Sequence, residues 1–194
     1  MSELDRLAEE FLKFPGIGPR QARRFAHFVV RQTKTAAERL TTAVERARAR
    51  IMQCPSCNRF AERNGDVCAR CADAHRDASL LMVIERDEDA DAVERTKQYQ
   101  GRYVVLGGAL PLKPDRNSHV SKEIRKLVSR ADKHAEIIIA TSATPEGDHT
   151  AREIEEALSG SKIKVTRLGR GLSTGSELEY IDEDTFAHAL KNRA

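Results

Sequence analysis

The stretch "SLLMVIERDEDADAVERTKQYQGRYVVLGG", residues 79–108, passes from an apolar run through a charged pattern into a second apolar run. Leu80, Leu81, Met82, Val83 and Ile84 are consecutive apolar residues closed by Glu85. A strand without polar alternation belongs to a sheet covered on both faces, the habit of parallel sheets. "DADAVERTKQY" (89–99) predicts a helix and "RYVVLGG" (102–108) the next strand. The alternation continues with "SHVSKEIRKLVSRADK" (118–133) as helix and "EIIIATS" (136–142) as strand. "DHTAREIEEALSG" (148–160) follows as helix and "KIKVTRLG" (162–169) as a fourth strand. Strand–helix alternation of this kind predicts an α/β domain around a parallel sheet.

In such sheets the functional edge lies beyond the carboxyl ends of the strands. Glu85 ends the first strand, Gly107 and Gly108 end the second, and Glu146, Gly147 and Asp148 follow the third. Carboxylates from two strands on one edge can hold Mg2+, whose ligands are oxygens. An acid at a helix start also serves as a cap, and Asp148 admits that reading. Glu85 is harder to read that way, because its strand is otherwise apolar. The layout resembles the Toprim domain shared by topoisomerases and primases. Glu85 and Glu146 are expected to form a negative surface on this edge, available to a partner or to Mg2+.

Upstream, "CPSCNRFAERNGDVCARC" (54–71) holds all four cysteines of the chain. Cys54 and Cys57 form one C-x-x-C hook, Cys68 and Cys71 the other. Two such hooks can place four thiolates at the corners of a tetrahedron around Zn2+. A redox centre needs one hook, and a reducing cytosol disfavours structural disulfides. A closed four-ligand site leaves no position for substrate, so the expected Zn2+, one per chain, is structural. Asn64-Gly65-Asp66 between the hooks carries a hairpin signal.

"KFPGIGPRQARRFAHFVV" (13–30) sets Gly16-Ile17-Gly18 between two helical patterns. Leu4, Leu7, Ala8, Phe11 and Leu12 make an apolar stripe before it; Ala22, Phe25, Ala26, Val29 and Val30 make one after it. Pro19 suits the first turn of the second helix. Gly16 and Gly18 leave backbone N–H groups open, and with the helix start these can cradle a phosphate. Arg20, Arg23 and Arg24 add charge for a DNA backbone, which they would read without sequence preference. A plain αα-hairpin with a glycine turn remains the competing reading. The element resembles the helix-hairpin-helix of DNA-repair proteins. "RQTKTAAERLTTAVERARAR" (31–50) is expected to continue as basic helix.

Residues 1–53 carry eleven Lys and Arg against six acids, although the whole chain has a net charge of only +3. A basic arm and an acidic cluster at 85–94 suit two different jobs. "MSELDRLAEEFLKF" has no apolar leader and no run approaches bilayer length, so a soluble cytoplasmic protein is expected. Four parts follow: a helical region (1–53), a cysteine motif (54–75), a Toprim-type domain (76–168) and a C-terminal segment (169–194).

This order, with "FPGIGPRQARRFAHFVV", the double C-x-x-C, "RDASLLMVIERDEDADAVERT", "YVVLGG", "ATSATPEGDHTA" and "TRLGRGLSTGSELEYIDEDTFAHAL", resembles the RecR family of recombination mediators along essentially the whole chain. The family's usual loop after "LGG" is replaced by "ALPLKPDRNSHV" (109–120), and Phe14 and Ser173-Thr174 also depart from the pattern. The resemblance implies bacterial recombinational repair beside RecO or RecF, helping RecA replace single-strand-binding protein on gapped DNA. It implies a ring-shaped tetramer joined through N- and C-terminal segments, and no catalysis. It puts DNA contacts on Arg20 and Arg24, and the Toprim acids on Glu85, Glu146 and Asp148. The rival is a Mg2+-dependent Toprim nuclease, since the acidic spacing survives. A topoisomerase would need a tyrosine nucleophile, and only Tyr99, Tyr103 and Tyr180 are present. A zinc-dependent adaptor that never touches DNA leaves the arginine-flanked hairpin unexplained.

Overall fold

The structure, a computed structural model, describes residues 1–113, 115–169, 171, 172, 175 and 177–191, apart from the side chain of residue 184. The chain divides into two compact units, Met1–Met52 and Gln53–Ala194.

In the first unit, α1 (Glu3–Leu12) starts at Ser2, whose hydroxyl accepts from the Asp5 N–H while the Asp5 carboxylate accepts in return. Helix α2 (Pro19–Arg31) begins at Gly18 with proline in its first turn. Expected to run on, the helix instead stops at Gln32, and α3 (Lys34–Arg50) starts anew. The cause is Thr33, whose side chain accepts from the Ala36 N–H and caps the new helix. Helices α1 and α2 pack on Ala8, Ala22 and Ala26, the buried residues of this unit. Phe11 touches Phe14 and Phe25, each pair with ring centroids 5.8 Å apart.

Strands β1 (Ile51–Gln53) and β2 (Phe60–Glu62) flank the first cysteine hook, and the one-turn helix α4 (Ala69–Ala72) carries the end of the second. The expected hairpin at 64–66 is not where the chain folds back into strand. Gly65 takes a left-handed turn (φ 69°), but the next element is α4. The reversal lies at the first hook, where the Cys54 N–H donates to the Arg59 carbonyl and the Asn58 N–H to the Cys54 carbonyl.

The rest builds a four-stranded parallel sheet. Its strands are β3 (Asp77–Ile84), β4 (Gly101–Val105), β5 (Glu136–Ala140) and β6 (Lys164–Arg167), in the order β4-β3-β5-β6. Helices α5 (Asp87–Thr96), α6 (His119–Val128) and α7 (Pro145–Leu158) make the crossovers, and α8 (Glu183–Lys191) follows near the C-terminus. The helix expected over 118–133 ends at Val128 and resumes as a 3-10 turn at Ala131–Lys133, because the Ser129 hydroxyl folds back onto the Lys126 carbonyl. One face of the sheet packs Leu81, Val83, Val104, Ile137 and Ile139 against Ile124, Leu127, Ile154 and Leu158 of α6 and α7. The other packs Met82, Ile84, Tyr103 and Val105 against Ala90 and Val93 of α5. Burial on both faces is the reason the strands read as unbroken apolar runs. Among the described residues no helix is long and apolar enough to cross a membrane.

Candidate functional site

The glycine hairpin sits between α1 and α2. Gly16 has φ 76°, a left-handed conformation that glycine adopts without strain. Gly18 has an ordinary φ of −88°, and a Cβ added there would meet nothing within 4 Å. Neither backbone strain nor packing inside the chain demands the second glycine; the space it leaves is open to an outside group. Arg20, Arg23 and Arg24 are all exposed on the first two turns of α2. At i, i+3 and i+4 of one helix they are neighbours, and they border two grooves. Arg20 and Arg23 line a groove of about 660 Å³ with Asp5 and Glu9 of α1, while Arg24 lines another of about 630 Å³ with Phe25, His27, Phe28 and Arg31.

In the second unit Cys54, Cys57, Cys68 and Cys71 bring their sulfurs within 4.8 Å of one another. Three of the four are buried and Cys71 is partly so. Four sulfurs about 2.3 Å from a tetrahedral Zn2+ stand about 3.8 Å apart; the Cys57 and Cys68 sulfurs are 3.7 Å apart. Cys71 is held down at about 5, first by a hydrogen bond from Cys57 and then by bonds from Ser56, Cys68 and Cys54. The Cys57 thiol, the donor of that bond, is driven far up by it and by burial. Burial pushes Cys68 up to about 11. A dication takes all four as thiolates. The donor set is compatible with zinc.

The knot is fastened to the sheet by groups that spacing did not single out. Asn58, left-handed at φ 62°, sends its amide to the Val105 carbonyl (3.1 Å) and to Glu123 Oε2 (2.5 Å). The Val105 N–H donates to the Cys57 carbonyl at 2.8 Å. Arg59 donates to Asp87 (3.2 Å) and Asp91 (2.9 Å), and Arg130 to the Ser56 carbonyl (2.8 Å). The x residues of the hooks and their neighbours thus hold α5, α6 and the end of β4.

The acidic edge departs from expectation. Glu85 is 4% exposed, so it offers no negative surface. Its Oε1 accepts from the Ser142 N–H (2.9 Å) and its Oε2 from the Ser142 hydroxyl (2.8 Å). It ties the end of β3 to the loop after β5. Glu146 is exposed, and Asp148 lies 3.8 Å from Arg167. Both stand inside the first turn of α7, which begins earlier than expected because the Thr144 hydroxyl caps it by accepting from the Gly147 N–H. Among the described residues the cysteines are the one group of three or more potential metal ligands brought together; Glu85, Glu146 and Asp148 are not. Gly147 was the missed residue here. A Cβ at that position would overlap the Ser142 carbonyl and crowd Glu85, so the glycine lets α7 start against the end of β3 and the loop after β5. The G between two acids was its only trace in the sequence. Burial pushes the Tyr99 and Tyr103 hydroxyls above their ordinary value, and both already donate, to the Arg102 carbonyl and to Glu94. Neither is poised as a nucleophile.

A glycine hairpin, a four-cysteine knot and a Toprim-type sheet in one chain define a modular protein of DNA metabolism. The family profiles agree: "Toprim domain" matches residues 79–169, "RecR, helix-hairpin-helix" residues 4–48 and "RecR, C-terminal" residues 171–194. The recombination protein RecR of Tropheryma whipplei is 37% identical over 193 residues, covering 96% of this chain and 94% of that relative. The RecR protein of Desulforudis audaxviator is 40% identical over 191 residues, covering 97% and 94%. The chain belongs to the RecR family, and membership gives it a role in DNA recombination and repair. The family's C-terminal match includes Ser173 and Thr174, which, like Arg170 just before it, lie outside the described residues.

Proposed function

We propose that this protein is a recombination mediator that binds DNA without sequence preference and acts by binding, not catalysis. Working with RecO and RecF, it promotes loading of RecA onto gapped DNA covered by single-strand-binding protein. The observation that carries the reading is the open glycine hairpin: Gly18 leaves unfilled space at the start of α2, beside exposed Arg20, Arg23 and Arg24. One structural Zn2+ sits on Cys54, Cys57, Cys68 and Cys71, supported by their spacing and mutual distances. A ring-shaped homotetramer, joined through the N-terminal unit and residues 169–194, is supported by the exposed Phe14, Phe28, Val30 and Val44 of the first unit and Leu178 and Tyr180 near the C-terminus. Glu146 and Asp148, at the first turn of α7, offer charge to a basic partner such as RecO. With Glu85 occupied by Ser142, the Mg2+ nuclease finds no support in the geometry.

The test is DNA affinity measured against salt for the parent and an Arg20→Ala/Arg24→Ala variant. Two lost phosphate contacts flatten the slope of log K against log salt by about 1.8 on duplex DNA, for all sequences alike. Unchanged affinity and slope would move DNA binding away from the hairpin. Native mass with and without duplex DNA tests the ring in the same samples.

A further inference from the structure

Beside the cysteine knot lies a nearly closed cleft of about 10 Å³, walled by Arg59, Arg70, Arg76 and Arg102 together with Cys57, Cys71 and Tyr103. It has room for at most one water. Three of the arginines are tied elsewhere by carboxylates. Arg59 reaches Asp87 and Asp91, Arg70 reaches Asp91 at 2.8 Å, and Arg76 reaches Glu94 at 2.7 Å. Among the described residues Arg102 has no carboxylate partner.

Three buried guanidinium nitrogens end without a hydrogen bond: Arg70 Nη1, Arg76 Nε and Arg102 Nε. Arg76 Nε has Asp73 Oδ2 at 3.8 Å, a charge contact too long for a bond. Orphaned donors on buried cations are costly, and one water cannot accept from three separate guanidiniums. The remaining wall of the cleft is sulfur, from Cys57 and Cys71. Neutral thiols are weak acceptors without charge. Four thiolates on a divalent cation are different: the assembly keeps a net negative charge, and each sulfur retains lone pairs.

We propose that Arg70, Arg76 and Arg102 form a guanidinium cage around the metal-bound sulfurs of Cys57 and Cys71. The cage sets positive charge against the negative tetrathiolate across the shared cleft and dulls the sulfurs toward electrophiles. The inference rests on the zinc reading above and adds to it the residues that hold the metal in place. They are positioning residues, acting through the thiolates. Arg102 is the decisive member because nothing else in the described chain neutralises it. Arg70 and Arg76 carry a second duty toward α5.

Two measurements on the full chain test the cage. In the first, N-ethylmaleimide alkylates the sulfurs and a colorimetric chelator follows the Zn2+ set free. Arg102→Met releases zinc roughly 10-fold faster or more, with native circular dichroism and parental zinc content, and Arg102→Lys falls between the two. In the second, Co2+ replaces Zn2+ and the thiolate-to-metal charge-transfer band is recorded. Removing the guanidinium charge raises the sulfur lone pairs in energy, so the band of Arg102→Met moves to longer wavelength; a purely structural arginine leaves it in place. No zinc in the purified parent overturns the zinc reading itself. Zinc present, with parental release rate and band in Arg102→Met, overturns the cage and leaves the zinc reading standing. Should Arg102→Met fail to fold, the same pair of measurements on Arg70→Met decides the matter.

Discussion

The two units of the chain are held together in opposite ways. In the sheet unit the buried residues are mostly large, among them Val83, Ile84, Leu106, Leu127, Ile137 and Ile154. In the hairpin unit they are Ala8, Ala22 and Ala26, while Phe28 and Val30 are 62% and 65% exposed. A large aliphatic side chain contributes about 1.5–3 kcal/mol on burial, against about 0.8 kcal/mol for a single methylene-sized group. The sheet therefore carries its own stability. The hairpin unit keeps its largest apolar side chains outside and invests little in its interior. A region built that way presents surface; the sheet presents a frame.

The sharpest break of this contrast is a matched pair of truncations. Ile137→Ala in the sheet is expected to cost about 2–5 kcal/mol in chemical denaturation. Val44→Ala on exposed α3 is expected to stay within about 0.5 kcal/mol in dilute protein. Equal losses would erase the distinction between frame and surface.

A smaller effect separates two glycines. Gly147→Ala forces a methyl into the Ser142 carbonyl beside Glu85, an overlap expected to cost about 1–3 kcal/mol. Gly18→Ala meets open space and changes only the quality of a helix cap, about 1 kcal/mol or less, yet it narrows the proposed phosphate cradle. Thermal melts set beside DNA titrations check both. A Gly147→Ala chain as stable as the parent, or a Gly18→Ala chain with parental DNA affinity, would reverse the assignment of packing glycine and binding glycine.

The smallest effect is a pH dependence confined to the sheet unit. Arg76 holds the Glu94 carboxyl below its ordinary value, aided by the Tyr103 hydroxyl. The bond's contribution is complete above the ordinary carboxylate range and fades as pH falls through the lowered value. Denaturation midpoints should therefore drop between pH 6 and pH 3 more steeply in the parent than in Glu94→Gln (pH values chosen to bracket roughly the Glu range). Parallel curves would mean that the ion pair adds nothing.

The same divide governs what could be read from the chain before its structure. Strand and helix order around residues 79–169 was legible because burial on both faces leaves runs such as Leu80–Ile84 and Ile137–Ile139 with no polar interruption. The metal-compatible knot was legible because four sulfurs at fixed spacing have few other uses. The helix break at Thr33 was not, since a cap is one hydroxyl in a stretch with good helical pattern on both sides. Nor was the burial of Glu85. A carboxylate closing an apolar strand reads as a site; its partner, Ser142, comes from the loop after β5, 57 positions away, and leaves no local signal. The guanidiniums at the knot were equally silent, because Arg70 on α4, Arg76 in the turn before β3 and Arg102 on β4 are brought together only by the fold.

The seam at Val105 has a further consequence. β4 is an outer strand of the sheet, and outer strands bare a row of N–H and C=O groups that recruit strands from other chains. Here the first cysteine hook closes the end of that row: the Val105 N–H donates to the Cys57 carbonyl, and the Val105 carbonyl accepts from the Asn58 amide. The hook is thus a stopper on the sheet as well as half of a metal-compatible cysteine set. If the knot holds the proposed metal, stripping it is expected to loosen the hook and free a strand terminus for pairing, which would make solubility in a chelating buffer a property of the sheet's edge.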